Sequence, residues 1–206
     1  MMTSNTVFQL GLLVVLSLAA CAHAQNMTVM CYYFDCPSYS KIAQRSTHEE
    51  RVYANQKWIV TSGDVRNLES SRLQMFNRLL SYLSGLNTQN KPLNITLPFL
   101  TKVVREPGSD VTTDMSMYMY IPLASQLAPP TPSDPMVKVV SSPVTYVYSK
   151  SFGGYTSKSG VKQTRAQLRA AIGDTRLYDN SHFYLATYSS PLQTKNRYNE
   201  LWIVRK

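Results

Sequence analysis

Apolar and polar positions divide this chain into two passes over one plan. In the first pass, Arg51 to Thr61 is strand-like, with Val52, Tyr53, Trp58, Ile59 and Val60 as its apolar positions. Leu68, Leu73, Met75, Phe76, Leu79, Leu80 and Leu83 then recur at helical spacing, which predicts a helix from Leu68 to Ser84 stopped by Gly85. Two further strands are expected, Leu93–Val104 and Asp114–Ile121. In the second of these, Met115, Met117 and Met119 share one face while Tyr118 and Tyr120 share the other. The second pass repeats the order. Val137–Val140 and Val144–Phe152 read as strands, Gly153-Gly154 as a turn, and Lys158–Ile172 as a helix ended by Gly173. His182–Tyr188 and Arg197–Val204 read as closing strands. Between the passes, the proline-rich run Leu127–Pro135 cannot lie inside a sheet. Strands, helix and strands, taken twice, predict an α+β fold with a pseudo-twofold repeat: a curved antiparallel sheet with two helices on one side.

The N-terminal segment has a different pattern. Val7 to Ala20 is an almost unbroken apolar run, too short to read first as a membrane span. Ala22-His23-Ala24 is a small-x-small cleavage signature, so residues 1–24 are expected to be a signal peptide. Residues 25–206 would then be a single secreted domain. Leu18-Ala19-Ala20-Cys21 also fits a lipoprotein box, but the Ala-x-Ala site beyond it favours ordinary secretion. No second run reaches spanning length, so stable membrane insertion is not expected. Cys31 and Cys36 remain after cleavage, an even number suited to an oxidising compartment, and a Cys31–Cys36 disulfide is expected. Sequons begin at Asn26 and Asn94. Asn26 should be exposed, whereas Asn94 falls within an expected strand.

Charge is uneven. Residues 25–135 hold 10 basic and 9 acidic side chains, and residues 136–206 hold 11 and 3, so the C-terminal half favours anionic partners. On the second helix Lys158, Lys162, Arg165 and Arg169 share one face, either as a solvated surface or as an anion-facing strip. The 14 tyrosines could stack on bases, but strand packing explains most of them, and export argues against a nucleic-acid partner. Several chemistries are excluded. There is no Gly-x-Ser-x-Gly, no His-Glu-x-x-His and no phosphate-cradling glycine loop. His48 and His182 have no partner at metal-ligand spacing, and Glu49-Glu50 would face opposite sides of a strand. A binding protein without a catalytic or metal site, acting as a monomer, is expected rather than an enzyme.

A set of segments, in order, resembles the SOUL-type heme-binding family. They are Glu50-Arg51-Val52-Tyr53, Lys57-Trp58-Ile59-Val60-Thr61, Ser81-Tyr82-Leu83-Ser84-Gly85-Leu86-Asn87 and Ile95-Thr96-Leu97-Pro98-Phe99. Tyr120-Ile121-Pro122, the crossover prolines and Ser151-Phe152-Gly153-Gly154-Tyr155 follow. Ala186-Thr187-Tyr188-Ser189-Ser190-Pro191 and Arg197-Tyr198-Asn199-Glu200-Leu201-Trp202 close the set. The resemblance implies a distorted β-barrel with two helices. It also implies reversible binding of heme or another porphyrin in an apolar groove beside the first helix. Carried over by position, that groove uses Phe76, Leu79, Leu80, Leu83, Leu97, Phe99, Tyr188 and Leu192. The propionates need cations, and Arg78 or Lys195 at the groove mouth are the candidates, Lys195 being shifted from the position of the family's propionate lysine. One branch of the family places an iron-ligating His where this chain has Val52, and His48 lies roughly 13 Å away at strand rise. Weak iron ligation is therefore expected, with metal-free porphyrin binding comparably. The competing expectation keeps the fold and drops heme: a carrier of another apolar anion, or an interaction protein.

Overall fold

The computed structural model describes residues 30–190, 193 and 195–206. The expected cleavage site, Asn26 and Leu192 lie outside these residues. The chain divides into two units, Met1–Tyr33 and Phe34–Lys206. Residues 30–33 of the first are helical, and Cys31 and Cys36 are disulfide-bonded.

The second unit is built on nine antiparallel strands: β1 (Tyr39–Gln44), β2 (Glu49–Tyr53), β3 (Gln56–Ser62), β4 (Phe99–Arg105), β5 (Thr112–Tyr120), β6 (Lys138–Ser142), β7 (Thr145–Gly153), β8 (His182–Thr187) and β9 (Tyr198–Val204). Helix α1 (Leu68–Leu83) joins β3 to β4, and α2 (Lys158–Ile172) joins β7 to β8. No helix among the described residues is long and apolar enough to cross a membrane.

The spatial order is β1-β2-β7-β9-β8-β4-β5-β3-β6. Leaving β1 aside, the order reads the same from both ends. Exchanging β4 with β8, β5 with β9, β3 with β7 and β2 with β6 maps one pass onto the other, about a twofold axis between β4 and β8. Each pass gives its outer strand to the other: β2 pairs with β7, and β6 with β3. Local connections show how strongly the sheet curls. β2 and β3 are six strands apart, about 29 Å in a flat sheet. Yet only Ala54 and Asn55 link them, a span of at most about 11 Å. Pro143 and Val144 impose the same closure between β6 and β7. The sheet is therefore rolled into a half-barrel.

Three expectations change. Arg51–Thr61 is two strands at opposite ends of the sheet, because the turn at Ala54-Asn55 is hidden in an apolar run. β1 adds an edge strand that the apolar pattern did not mark. The strand expected from Leu93 starts at Phe99, and Asn94 is an exposed residue ahead of it. The helices match their expected spans closely. Asn67 caps α1 by accepting from Ser70 N, and Ser157 caps α2 by accepting from Gly160 N.

α1 packs on β3 and β5, and α2 on β7 and β9. Val161 and Leu168 of α2 enter a core with Val103, Tyr148, Phe183, Leu185, Leu201 and Ile203. Thr101 pairs with both Leu185 and Met117, so these residues and the other strand methionines share the helix-bearing face. Trp58, Tyr118, Tyr120, Tyr53 and Trp202 point to the opposite face by the same alternation.

Candidate functional site

A pocket of about 280 Å³ opens on the helix-bearing face, over the β4–β8 junction where the two passes meet. Phe99 and Thr101 from β4, Leu185 and Thr187 from β8, and Met117 from β5 form its floor. These are side chains of one parity on neighbouring strands, so the strand register brings them together. Arg72, Leu73 and Phe76, on the edge of α1, form one wall. Phe76 meets Phe99 edge to face, with ring centroids 4.9 Å apart.

The other wall comes from the second pass. Tyr155 and Thr156 lie in the link from β7 to α2, and Ser189 and Arg197 lie at the two ends of the β8–β9 connection. Gly154 precedes Tyr155 with φ of 77°, a conformation that an L side chain adopts only under strain. Asn199 Nδ2 donates to the Gly154 carbonyl at 2.8 Å and fixes that turn from β9. Arg197 is nine-tenths buried. Its Nη1 donates to the carbonyls of Ser190 at 2.8 Å and Gln193 at 2.7 Å, and its Nε is buried without a partner among the described residues. Its guanidinium lies 4.7 Å from the Tyr155 ring centroid. Leu73 and Tyr155 are 59% and 58% exposed, so the apolar surface continues past the rim.

Among the described residues no carboxylate and no histidine lines this pocket. Two guanidiniums over apolar and hydroxyl groups suit a flat apolar ligand that carries negative charge. Enclosing a drug-sized ligand takes roughly 300–1,000 Å³, so the pocket encloses only one edge of a larger plate.

The residues expected in the groove are dispersed. Phe76 and Phe99 line the pocket. Leu79, Leu83 and Leu97 are buried core residues and do not line it, and Leu80 is half-buried away from it. Arg78 reaches the Ser62 carbonyl at 3.4 Å, and Lys195 is exposed; neither lines the pocket. Tyr188 points to the opposite face, where its hydroxyl donates to Glu200. Arg72, Leu73, Thr101, Met117, Tyr155, Leu185, Thr187, Ser189 and Arg197 line the pocket and were not anticipated. Leu73 precedes Phe76 by three residues on α1, and Thr101 follows Phe99 by two on β4. Helix and strand periodicity starting from those two phenylalanines points to both.

On the opposite face Glu200 is fully buried and accepts from five donor groups. Arg51 Nη1 and Nη2 donate at 2.8 and 2.9 Å, Trp202 Nε1 and Tyr198 Oη at 2.7 Å, and Tyr188 Oη at 3.2 Å. Burial opposes the charge on Arg51, but Glu200 overrides it and holds the guanidinium protonated. Burial pushes the Tyr188 and Tyr198 hydroxyls well above their ordinary range, with the Glu200 charge adding to it. Because neighbours alternate faces, Tyr188 and Tyr198 tether the β8–β9 connection at both ends. Ser189 and Arg197, one residue inside each tether, reach the pocket.

The other candidates lie elsewhere. Lys162 and Arg165 of α2 pair with Asp110 at 2.6 and 3.0 Å, and Arg169 Nε donates to Tyr178 Oη at 3.0 Å, so the basic strip is largely engaged. His48 is buried against Tyr148, and His182 pairs with Asp179 at 3.2 Å. Burial lowers the pKa of both histidines. Among the described residues no group of three or more His, Cys, Asp or Glu side chains could hold a metal ion.

The family model for SOUL heme-binding proteins matches residues 34–204. Heme-binding protein 2 of Homo sapiens is 30% identical over 166 residues, 79% of this chain and 80% of that protein. Heme-binding protein 1 of Bos taurus is 26% identical over 158 residues, 77% of this chain and 83% of that protein. Among solved structures, the EcmrR C-terminal domain superposes with a TM-score of 0.53 at 8% identity, covering 82% of this chain and 98% of that one. That likeness concerns the fold alone.

Proposed function

Since the chain belongs to the SOUL heme-binding protein family, we propose that it binds heme or a related tetrapyrrole reversibly in the pocket over the β4–β8 junction. The lining carries the reading: an apolar floor and wall with two guanidiniums and, among the described residues, no carboxylate. A porphyrin is an apolar plate with two propionates. Its edge enters over Phe76, Phe99 and Leu185, and its remaining face lies over Leu73 and Tyr155. Arg197 offers its guanidinium toward the propionates from one wall, and Arg72 lines the wall opposite. Binding rests mainly on apolar contact, at about 25 cal/mol per Å² removed from water, with no imidazole on the iron. The role is binding, with no catalysis of its own.

Hemin titration followed by absorbance tests this. Saturable binding is expected for the wild type, and at least about tenfold weaker binding for Leu73→Asp, which puts a charge where the plate would lie. Leu73 is exposed, so the variant should unfold like the wild type. Equal hemin affinity in the two proteins would place the ligand elsewhere. If a fatty carboxylate saturates the pocket and hemin does not, the chain carries a smaller apolar anion.

The reading includes export. The disulfide between Cys31 and Cys36 supports an oxidising compartment. Asn94 is exposed and outside a strand, which suits a glycan there. Mass spectrometry of the protein from secreting cells should find Gln25 at the N-terminus, no free thiol, and glycan at Asn26 and Asn94. An intact N-terminus would overturn this part.

A further inference from the structure

A heme iron has an axial position to fill, and neither His48 nor His182 lines the pocket. Of the pocket side chains, two types bear an atom known to ligate heme iron: the Tyr155 hydroxyl and the Met117 thioether. We propose that Tyr155 binds ferric heme iron through its phenolate oxygen, with Arg197 as the fixed cation that balances the phenolate charge. The inference rests on the heme reading above and adds to it an oxygen ligand.

Three observations carry it. First, the Tyr155 hydroxyl donates to no described residue, unlike the hydroxyls of Tyr82, Tyr188 and Tyr198. Tyr82 donates to the Pro130 carbonyl, Tyr188 and Tyr198 donate to Glu200, and Tyr178 accepts from Arg169. Second, the Arg197 guanidinium lies against the Tyr155 ring at 4.7 Å and is held there by the Ser190 and Gln193 carbonyls. Among the described residues no carboxylate competes for that charge in the pocket. A cation held beside the ring offsets the negative charge of an iron-bound phenolate. Third, the turn that presents Tyr155 is pinned, by the Gly154 conformation and by the Asn199 bond to its carbonyl. The ligand is thus positioned by the second pass, opposite the α1 wall.

The chemistry balances without an oxidant or reductant. The phenol O–H breaks, its proton goes to solvent, the oxygen lone pair forms the bond to iron in place of the axial water or chloride that hemin releases, and iron stays ferric. A hard anionic oxygen favours ferric over ferrous iron, whereas the soft thioether of Met117 would favour the reverse.

The test compares hemin with metal-free protoporphyrin on wild type, Tyr155→Phe and Met117→Leu, read by absorbance and electron paramagnetic resonance. Wild type with hemin should show a high-spin ferric signal with a tyrosinate-to-iron charge-transfer band, and should release one proton per heme. Tyr155→Phe should lose the band and bind hemin at least about tenfold more weakly. It should bind metal-free protoporphyrin within about twofold of wild type, because the apolar contacts persist. Met117→Leu should keep the band. A wild-type spectrum and hemin affinity in Tyr155→Phe would overturn the assignment, as would loss of the band in Met117→Leu alone. If wild type binds metal-free protoporphyrin but shows no tyrosinate band with hemin, the ligand assignment fails and the heme pocket stands. If neither porphyrin binds, the heme reading fails and takes this one with it.

Discussion

The two faces of the half-barrel each hold an arginine against a tyrosine ring. On the face opposite the helices Arg51 lies 4.4 Å from the Tyr39 ring; on the helix-bearing face Arg197 lies 4.7 Å from the Tyr155 ring. They differ in what completes the pair. Arg51 meets Glu200 through two bonds, inside a closed cluster with Tyr53, Tyr188, Tyr198 and Trp202. Among the described residues Arg197 donates only to backbone carbonyls, in an open pocket with no acid in its lining. The same pairing is structural where a carboxylate closes it, and is left available to an anionic ligand where none does. The two sites are coupled through the chain, because Tyr188–Ser189 and Arg197–Tyr198 each place one residue on each face.

The largest effect expected from breaking this comparison is on stability. Arg51→Met leaves Glu200 buried with only hydroxyl and indole donors. Removing one partner of a buried ion pair costs about 3–5 kcal/mol. Urea unfolding should show a loss of that order. Replacing Arg51 and Glu200 together with Met should not restore full stability, because Tyr188, Tyr198 and Trp202 would each lose their acceptor. A double variant as stable as wild type would mean that the cluster is dispensable packing.

The next effect needs alkaline pH. Burial raises the Tyr53, Tyr188 and Tyr198 pKa values above the ordinary 10.0. A raised folded-state pKa means that the unfolded chain ionises first. The stabilisation is complete below pH about 10 and declines as pH rises beyond it. Alkaline unfolding should therefore begin above that point, with the cluster tyrosines ionising only as the protein unfolds. Ultraviolet titration of the phenols alongside circular dichroism checks this. Full tyrosine ionisation in a still-folded protein would show that the cluster is open to solvent.

What the sequence showed and what it hid follow from the same geometry. Both helices were legible from apolar spacing, and the methionine and tyrosine faces of β5 from alternation. Strand order was not, because Ala54-Asn55 interrupts the apolar run over Arg51–Thr61 without a glycine or proline to mark a turn. At the site, the leucine stripe of α1 identified a buried face but not which edge of it meets the pocket. Leu79 and Leu83 turn to the core, while Leu73 and Phe76 lie one step round the helix. Thr101, Thr187 and Ser189 are polar, so hydrophobic patterning passes over them although they line the floor and wall. Tyr188 was expected in the groove and lies on the other face, a difference of one residue in a period of two.

The smallest effect sharpens the comparison best. Arg197→Met removes two hydrogen bonds to carbonyls of the β8–β9 connection, at Ser190 and Gln193. It leaves no buried carboxylate unpaired, because none among the described residues faces it. Each such bond contributes about 0.5–1.5 kcal/mol net, and carbonyls near the surface regain water, so the total loss should stay near 1 kcal/mol. That is a fraction of the Arg51→Met effect for the same change of residue. Unfolding of the two variants side by side measures the difference directly. Equal losses would mean that Arg197 is as structural as Arg51, and the contrast between a closed pair and an open one would fail. A small loss of stability together with weakened hemin binding would locate the function of Arg197 in the pocket.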